Sequence, residues 1–288
     1  MSSYIDRIID FIRSSLDKYG YGGAVVGISG GIDSAVVGKL LTEALGPDRV
    51  LGLLLPERDS SKSTIADSRL VGDFLKINYK LKPITPLIRK LGVYRMKPPA
   101  RLVPRRMQER YAEKIWNNTD KPYLNDLKTA GGEDNRQNLA YYRTKHRFRM
   151  VRMYFEAEKR GYAVAGTTNL TELLTGFYIK WGDDSTDIEP IMHLYKTQVF
   201  ELAQELGIPR KIVGKQPSPD VAPGITDEFA LGMSYDKLDR LLMKIRAEDE
   251  SGIPVLGESD ADINRVREII EAAEYRNVRN LNLLKDKK

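Results

Sequence analysis

The most constraining feature of this chain is a glycine-rich loop that joins a short apolar run to a predicted helix. The apolar run covers residues 24–28, and the loop after it reads Ser29-Gly30-Gly31-Ile32-Asp33-Ser34. Adjacent glycines let the backbone pass close to an anion, and the N–H groups at a helix start point towards it. The serines add hydroxyl donors, and the Asp33 carboxylate suits Mg²⁺ beside a pyrophosphate. The segment therefore predicts a phosphate-binding loop.

This loop differs from two common nucleotide-binding motifs. It lacks the lysine of G-x-x-x-x-G-K-[ST], and it does not match G-x-G-x-x-G. It resembles the pyrophosphate loop of the ATP pyrophosphatases, which split ATP into AMP and pyrophosphate to activate a carboxylate or carbonyl. The alternative interpretation is a plain glycine turn before a helix.

Strand-like and helix-like segments alternate along much of the chain. Predicted strands cover residues 24–28, 50–55, 77–84 and 162–166, and predicted helices cover residues 35–45, 63–76, 139–160, 196–206, 235–247 and 260–275. This order predicts an α/β fold, a doubly wound parallel sheet flanked by helices with a helical C-terminal region. Ligands of such sheets bind at the carboxyl ends of the strands, where Ser29 and Arg58 would lie.

The alternation stops between residues 86 and 138, a stretch that we name the basic segment. Its first part is crowded with cationic side chains: Arg89, Lys90, Arg95, Lys97, Arg101, Arg105, Arg106 and Arg110. A solvated loop, a dimer contact and a substrate lid all remain open as interpretations. We expect one domain over residues 1–288, with the basic segment as an excursion.

Composition narrows the classes of function. The chain has no cysteine, which excludes structural disulfides, thiolate metal sites and a cysteine-dependent glutaminase. With only two histidines, no histidine-rich metal site is available, and we expect His146 and His193 to be surface or packing residues. No apolar run reaches the roughly 18 residues that span a bilayer. We expect a cytoplasmic protein without a membrane partner.

Further motifs follow the first loop in a fixed order. They read G-T-T-N-x-x-E from Gly166, G-D-x-x-x-D-I-x-P from Gly182, Y-K-T-Q-V from Tyr195 and T-D-E-x-x-L-G from Thr226. Together with S-G-G-I-D-S, they resemble the ammonia-dependent NAD synthetases, the form without a glutaminase domain. The resemblance covers residues 5–84 and 145–242.

The resemblance implies a role for each matching residue. ATP and its phosphates would be held by Ser29, Gly30, Gly31, Asp33, Ser34, Arg58, Thr167 and Ser218. Mg²⁺ would be carried by Asp33 and Glu172. Asp183 would receive ammonia, and Lys196 would offset developing negative charge. The acid substrate would contact Arg143, Arg147, Lys180 and Asp187.

The implied reaction joins ammonia to nicotinic acid adenine dinucleotide in a homodimer. ATP would convert the carboxylate to an acyl-adenylate, and attack by ammonia would give NAD, AMP and pyrophosphate. Without a cysteine glutaminase, ammonia would be free or delivered by another protein.

Several positions depart from the common family pattern, most of them on the acid-substrate side. They are Tyr142, Arg143, Ile179, Asp184 and Tyr275. Nicotinic acid mononucleotide, whose monophosphate would suit arginine partners, therefore stays open as the acid, as does another carboxylate. A nucleic-acid-binding or tRNA-modifying relative is a further alternative. It is disfavoured because the chain lacks a sulfur-relaying cysteine and a recognisable nucleic-acid-binding motif.

Overall fold

A computed structural model describes residues 2–97, 99, 104, 106–107, 110, 122–129, 132–217, 226–252 and 257–281 of the chain. Its centre is a parallel sheet with the strand order β3-β2-β1-β4. The strands are β1 (Ala24–Gly27), β2 (Val50–Leu54), β3 (Asn78–Leu81) and β4 (Ala163–Ala165). Val25 of β1 pairs with Leu51 on one side and with Val164 on the other. The predicted parallel sheet is confirmed.

Helices follow the strands and fill the C-terminal part. They are α1 (Ser2–Tyr19), α2 (Ile32–Leu45), α3 (Lys62–Leu75), α4 (Thr85–Lys90), α5 (Pro122–Leu127), α6 (Glu133–Glu158), α7 (Leu170–Thr175), α8 (Lys196–Glu205), α9 (Arg210–Val213), α10 (Asp227–Leu231), α11 (Tyr235–Ser251) and α12 (Asp260–Asn277). Within the described residues, no helix is both long and apolar enough to cross a membrane.

The two faces of the sheet are covered by different helices. Successive strand side chains point to opposite faces, so neighbours in β1 enter separate cores. Ala24 and Val26 join a core with residues of α1, α2 and α8. Val25 joins a second core with residues of α4 and α6. Burial on both faces is typical of parallel sheets, and it confirms the predicted doubly wound arrangement.

The predicted helical C-terminal region is also confirmed. Residues of α5, α11 and α12 form a third core that includes Leu124, Leu238 and Val266. The helices α7 and α8 contact each other and the helices of this core, and α8 also contacts α2. They carry the acidic and basic side chains of the site described below.

Two boundaries differ from the sequence expectation. The strand β3 ends at Leu81 rather than residue 84, although the N–H of Ile84 still donates to the carbonyl oxygen of Pro56 at 3.0 Å. The helix α6 begins at Glu133, six residues before the predicted start, although residues 133–137 carry no apolar stripe. The basic segment is therefore partly helical, since α4, α5 and the start of α6 fall inside it.

Candidate active site

The glycine-rich loop closes on itself through its two serine hydroxyls. Ser29 Oγ lies 3.1 Å from Ser34 Oγ and accepts a hydrogen bond of 3.2 Å from the N–H of Gly31. Ser34 Oγ donates to the carbonyl oxygen of Gly31 at 3.0 Å. The loop leads directly into the 14-residue helix α2, whose N-terminus is a favourable environment for anions.

Gly30 brings this loop against α3. Its φ is 76°, in the left-handed region that favours glycine, and a Cβ atom there would lie 2.8 Å from both Asp67 Cβ and Ser68 N. Lys215 approaches from the other side, with Nζ 3.3 Å from the carbonyl oxygen of Gly30 and 3.0 Å from Asp67. Lys215 therefore adds positive charge beside the loop. Lys215 begins the polar stretch that contains Ser218, and none of the sequence motifs includes it.

Three charged side chains from distant parts of the sequence meet behind the loop. Lys196 Nζ lies 2.5 Å from Asp33 Oδ2 and 3.7 Å from Glu172 Oε1. The lysine is only 1% exposed. Its backbone N–H donates to Thr171 Oγ1, so the start of α8 is fixed to the start of α7. The structure thus brings together three of the residues that the sequence assigned to metal binding and catalysis.

Asn169 fixes the two carboxylates relative to each other. Its side-chain oxygen accepts the N–H of Glu172, and its backbone N–H donates to Glu172 Oε2, which forms a capping box at the start of α7. Its Nδ2 donates to Asp33 Oδ1 at 3.1 Å. Asn169 belongs to the G-T-T-N-x-x-E motif, but the motif alone does not predict this function.

Burial and mutual charge determine the electrostatics of this cluster. Burial raises the pKa of Glu172 well above its usual value, and the neighbouring Asp33 raises it further. Burial alone would lower the pKa of Lys196, but Asp33 and Glu172 outweigh it and the net shift is upward. Asp227, which accepts a hydrogen bond of 2.9 Å from Tyr235, is also buried, and burial raises its pKa to about 6 against the opposing effect of Lys196. The cluster carries more acidic than basic groups and therefore favours an additional cation.

The oxygen donors of Asp33 and Glu172 fit Mg²⁺. This ion is commonly held by one or two carboxylates together with substrate phosphates and waters. Both carboxylates already share one cation, the ammonium of Lys196. Among the described residues, no group of three or more acidic or histidine side chains is placed to hold a metal ion. An ion at Asp33 and Glu172 would therefore need further ligands, such as the phosphates of ATP.

Asp183 lies on the loop after α7, away from the buried cluster. Its Oδ1 accepts the N–H of Ile179 at 2.6 Å, while 44% of the side chain is exposed. Its Oδ2 lies 3.4 Å from Nδ1 of His146 on α6. Burial tends to raise the pKa of Asp183, but the contacts with His146 and Ile179 outweigh it, and the pKa is below its usual value. The expectation that His146 is a mere surface or packing residue missed this contact.

Two predicted substrate residues hold the same loop. Arg147 donates to the carbonyl oxygen of Lys180 at 3.2 Å. The ammonium of Lys180 donates to the carbonyl oxygens of Tyr275 and Val278 at the end of α12. A cation at a helix C-terminus is favourable because the last carbonyl groups lack partners.

The other two predicted substrate residues are also bonded within the protein. Arg143 donates to the carbonyl oxygen of Asp126 at 2.7 Å, and burial lowers its pKa to about 10. Asp187 accepts the N–H of Val164 at 2.7 Å and the hydroxyl of Tyr154 at 3.1 Å, which ties it to β4. Arg143 and Asp187 therefore have structural roles, and a contact with substrate would be an additional role.

A cavity of about 240 Å³ opens between β4, the Asp183 loop and the end of α12. Lys180, Asp184 and Glu189 line it together with Thr168. Glu189 accepts the N–H of Thr168 at 3.1 Å and the hydroxyl of Thr186 at 2.8 Å. Burial raises its pKa to about 8. Glu189 occupies the variable position of the D-I-x-P motif, so the sequence pattern did not single it out.

Arg58 belongs to a second buried cluster, at the carboxyl end of β2. It forms a two-pronged contact with Asp59, at 2.9 and 3.1 Å, and donates to the hydroxyl of Tyr141. Lys145 lies 2.9 Å from Glu57 and 3.1 Å from Asp59. The guanidinium of Arg58 is therefore bound to side chains of its own protein.

Thr167 and Ser218 are the remaining two predicted ATP contacts. Thr167 is half-buried directly after β4, at the same edge of the sheet as Ser29. Ser218 lies outside the described residues.

The family model of NAD synthase matches residues 4–116 and 105–279. The NH3-dependent NAD+ synthetases of Thermotoga neapolitana and Thermotoga maritima are each 53% identical to the chain over 270 residues. These alignments cover 93% of this chain and 92% and 95% of the two relatives.

Solved structures share the fold over nearly the whole chain. NMN synthetase from Francisella tularensis has a TM-score of 0.70 at 25% identity, covering 98% of this chain and 97% of that chain. NH3-dependent NAD synthetase from Campylobacter jejuni has a TM-score of 0.69 at 22% identity, covering 98% of both chains. On the strength of the family match and the 53% identical relatives, the chain belongs to the NAD synthase family.

Proposed function

We propose that this chain is a carbon–nitrogen ligase that makes NAD from nicotinic acid adenine dinucleotide, ATP and ammonia. The products besides NAD are AMP and pyrophosphate. The observation that carries the proposal is the meeting of Asp33, Glu172 and Lys196 behind a phosphate-binding loop, within a chain of this family. The site supports activation of an acid by ATP without a covalent enzyme nucleophile.

In the first step, an oxygen of the nicotinate carboxylate attacks the α-phosphorus of ATP, and pyrophosphate leaves. The N–H groups of the glycine-rich loop and the hydroxyls of Ser29 and Ser34 would bind the phosphates. Lys196 would stabilise the negative charge that develops at phosphorus, because a buried ammonium acts strongly in a dry site. Bound at Asp33 and Glu172, Mg²⁺ would supply further charge neutralisation to the phosphates.

In the second step, ammonia attacks the acyl carbon, and AMP leaves. Asp183 would hold the incoming ammonium, because its carboxylate stays ionised and part of it faces solvent. Lys180, Arg143 and Arg147 lie on or beside the Asp183 loop and would contact the acid substrate. Asp187 would support them by fixing the end of β4.

Substitution of the two carboxylates tests the first step. We expect Asp33→Asn and Glu172→Gln each to abolish pyrophosphate release from ATP in the presence of the dinucleotide acid. Both replacements keep the size of the side chain and remove its charge. Turnover at the wild-type rate in either variant would contradict the assigned role.

One observation favours a second acid substrate. The Francisella protein with TM-score 0.70 is described as an NMN synthetase, and this chain departs from the common pattern at Tyr142 and Arg143. The same chemistry on nicotinic acid mononucleotide would make the corresponding mononucleotide amide. A comparison of pyrophosphate release with the two acids, each with ammonium, distinguishes the substrates. We expect the dinucleotide to be preferred, because the 53% identical relatives are NAD+ synthetases.

We also propose that the protein acts as a homodimer. The resemblance implies an acid site at a subunit interface, and α6 carries an exposed apolar pair that would suit one. Val151 and Phe155, one helical turn apart, are 61% and 49% exposed. The same helix carries Arg147 towards the Asp183 loop, so an interface on α6 would adjoin the site.

A further inference from the structure

His146 lies directly behind the carboxylate that would receive ammonia. It projects from α6, and its Nδ1 is 3.4 Å from Asp183 Oδ2. The imidazole is mostly buried, with 19% of the side chain exposed. Gly182 permits this approach, because a Cβ atom there would lie 3.2 Å from His146 Cβ. The helix and the loop therefore pack together at this pair.

In the amidation step, ammonium must lose a proton before its nitrogen can attack the acyl carbon, and Asp183 alone does not accept that proton well. At neutral pH ammonia is present mainly as ammonium, which holds its proton far more tightly than a carboxylic acid does. A carboxylate binds the cation well, but it is a poor acceptor for a proton of ammonium because its ordinary pKa is far below that of ammonium. Imidazole is the side chain whose proton affinity matches neutral pH.

We propose that His146 is a positioning residue of the amidation step, which orients the Asp183 carboxylate and lets the pair take up the proton of ammonium. This inference rests on the proposed function. The ammonium bound at Asp183 loses one proton, which comes to reside on Nδ1 of His146. The freed electron pair of nitrogen attacks the acyl carbon, and AMP leaves with the electron pair of the broken C–O bond. Nitrogen loses its second proton to water.

The groups around His146 and Asp183 carry charges of both signs. Around the pair, α6 contributes Arg147, the loop and its flanks contribute Tyr178, Lys180, Asp184 and Glu189, and α12 contributes Arg276. The Asp184 carboxylate favours a protonated pair, and the cations oppose it, while Glu189 is uncharged at neutral pH because burial raises its pKa to about 8. The mixture allows the pair to change protonation without leaving a large uncompensated charge.

The test separates the two steps of the reaction. We would measure ATP–pyrophosphate exchange without ammonium, and kcat/KM for ammonium between pH 5.5 and about 9, across the range where imidazole titrates. The variants are His146→Ala and His146→Gln, the second of which keeps a polar side chain that cannot take up a proton. His193→Gln is the matched control, because that histidine packs near Tyr4 of α1.

We expect exchange to persist in both His146 variants, which also shows that they fold and bind the acid. Their kcat/KM for ammonium should fall roughly 10–100-fold at pH 7, the low end of general-base effects. The wild-type profile should contain an inflection that both variants lack and His193→Gln retains. The inference is overturned if the wild type amidates and the His146 variants show the same ammonium kinetics and pH profile. Failure of the wild type to amidate would instead contradict the proposed function.

Discussion

At the residue scale, the phosphate-binding loop depends on the missing side chain of Gly30. Alanine there would need a left-handed backbone and would place Cβ 2.8 Å from the backbone of α3. We expect Gly30→Ala to displace the loop and to lower the rate of pyrophosphate release by roughly 100-fold, since small displacements of a positioned group have such effects. Steady-state release of pyrophosphate measures this.

Gly20 provides the control. It also has a positive φ, 72°, but nothing lies within 4 Å of a Cβ atom at that position. Gly20→Ala should cost about 1–2 kcal/mol of stability and leave activity in place. Equal losses of activity in the two variants would contradict a specific role for the Gly30 contact.

The raised pKa of Glu189 predicts that the stability of the protein depends on pH. Its pKa is raised from 4.5 to about 8 in the folded protein. Between these values the unfolded chain has lost the proton while the folded chain keeps it, so stability from this group falls as pH rises through that window. Glu189→Gln should therefore raise Tm at pH 8 relative to the wild type, by about 2–4 °C for each kcal/mol, and give no such gain at pH 4.5.

The matched control is Glu201→Gln on the exposed surface of α8. Its effect on Tm should be the same at both pH values. If Glu189→Gln behaves in the same way as this control, Glu189 is ionised in the folded protein.

At the element scale, a buried ionic cluster joins β2 to α6. Lys145 of α6 contacts Glu57 and Asp59 after β2, and all three side chains are largely buried. Lys145→Met would leave the buried Glu57 without its cation and would leave Asp59 with Arg58 alone, which should cost about 3–5 kcal/mol. The free energy of unfolding from urea titrations measures the loss.

A partly exposed ion pair on α2 is the control for the Lys145→Met experiment. Lys39 and Glu43 lie 3.0 Å apart on α2 with about a third of each side chain exposed. Lys39→Met should cost below ~1 kcal/mol. A similar cost for Lys145→Met would mean that Arg58 and water, rather than Lys145, compensate the two carboxylates.

The sequence patterns predict the elements better than their ends. The apolar run of β2 is buried at every position and was recognisable from sequence alone. The start of α6 was not, because its first turn is acidic and polar and is favoured by the helix dipole rather than by an apolar stripe.

The site was predictable where its residues lie in local motifs. Asp33, Glu172 and Lys196 each stand in such a motif, and the parallel sheet explains why they meet. The pair of His146 and Asp183 was not predictable, because it arises from the packing of α6 on a distant loop. Lys215 and Glu189 were missed for the same reason.

At the scale of the whole molecule, we expect a second copy of the chain to cover the exposed pair on α6. The double substitution Val151→Glu and Phe155→Glu would place like charges on both sides of a symmetric interface. We predict that sedimentation gives a dimer for the wild type and a monomer for this variant. Phe11→Glu, at another exposed apolar side chain, should leave the dimer intact.

Two results would contradict that prediction. One is a wild-type monomer at micromolar concentration with full activity. The other is a dimer that persists unchanged in the Val151 and Phe155 variant.

We propose that the acid is activated as an acyl-adenylate before ammonia attacks. The most direct measurement uses the dinucleotide acid labelled with ¹⁸O in its carboxylate, with ATP, Mg²⁺ and ammonium. The carboxylate oxygen that attacks phosphorus leaves with AMP, so mass spectrometry should find one labelled oxygen in each AMP formed. Label in inorganic phosphate, with ADP as the nucleotide product, would contradict the account.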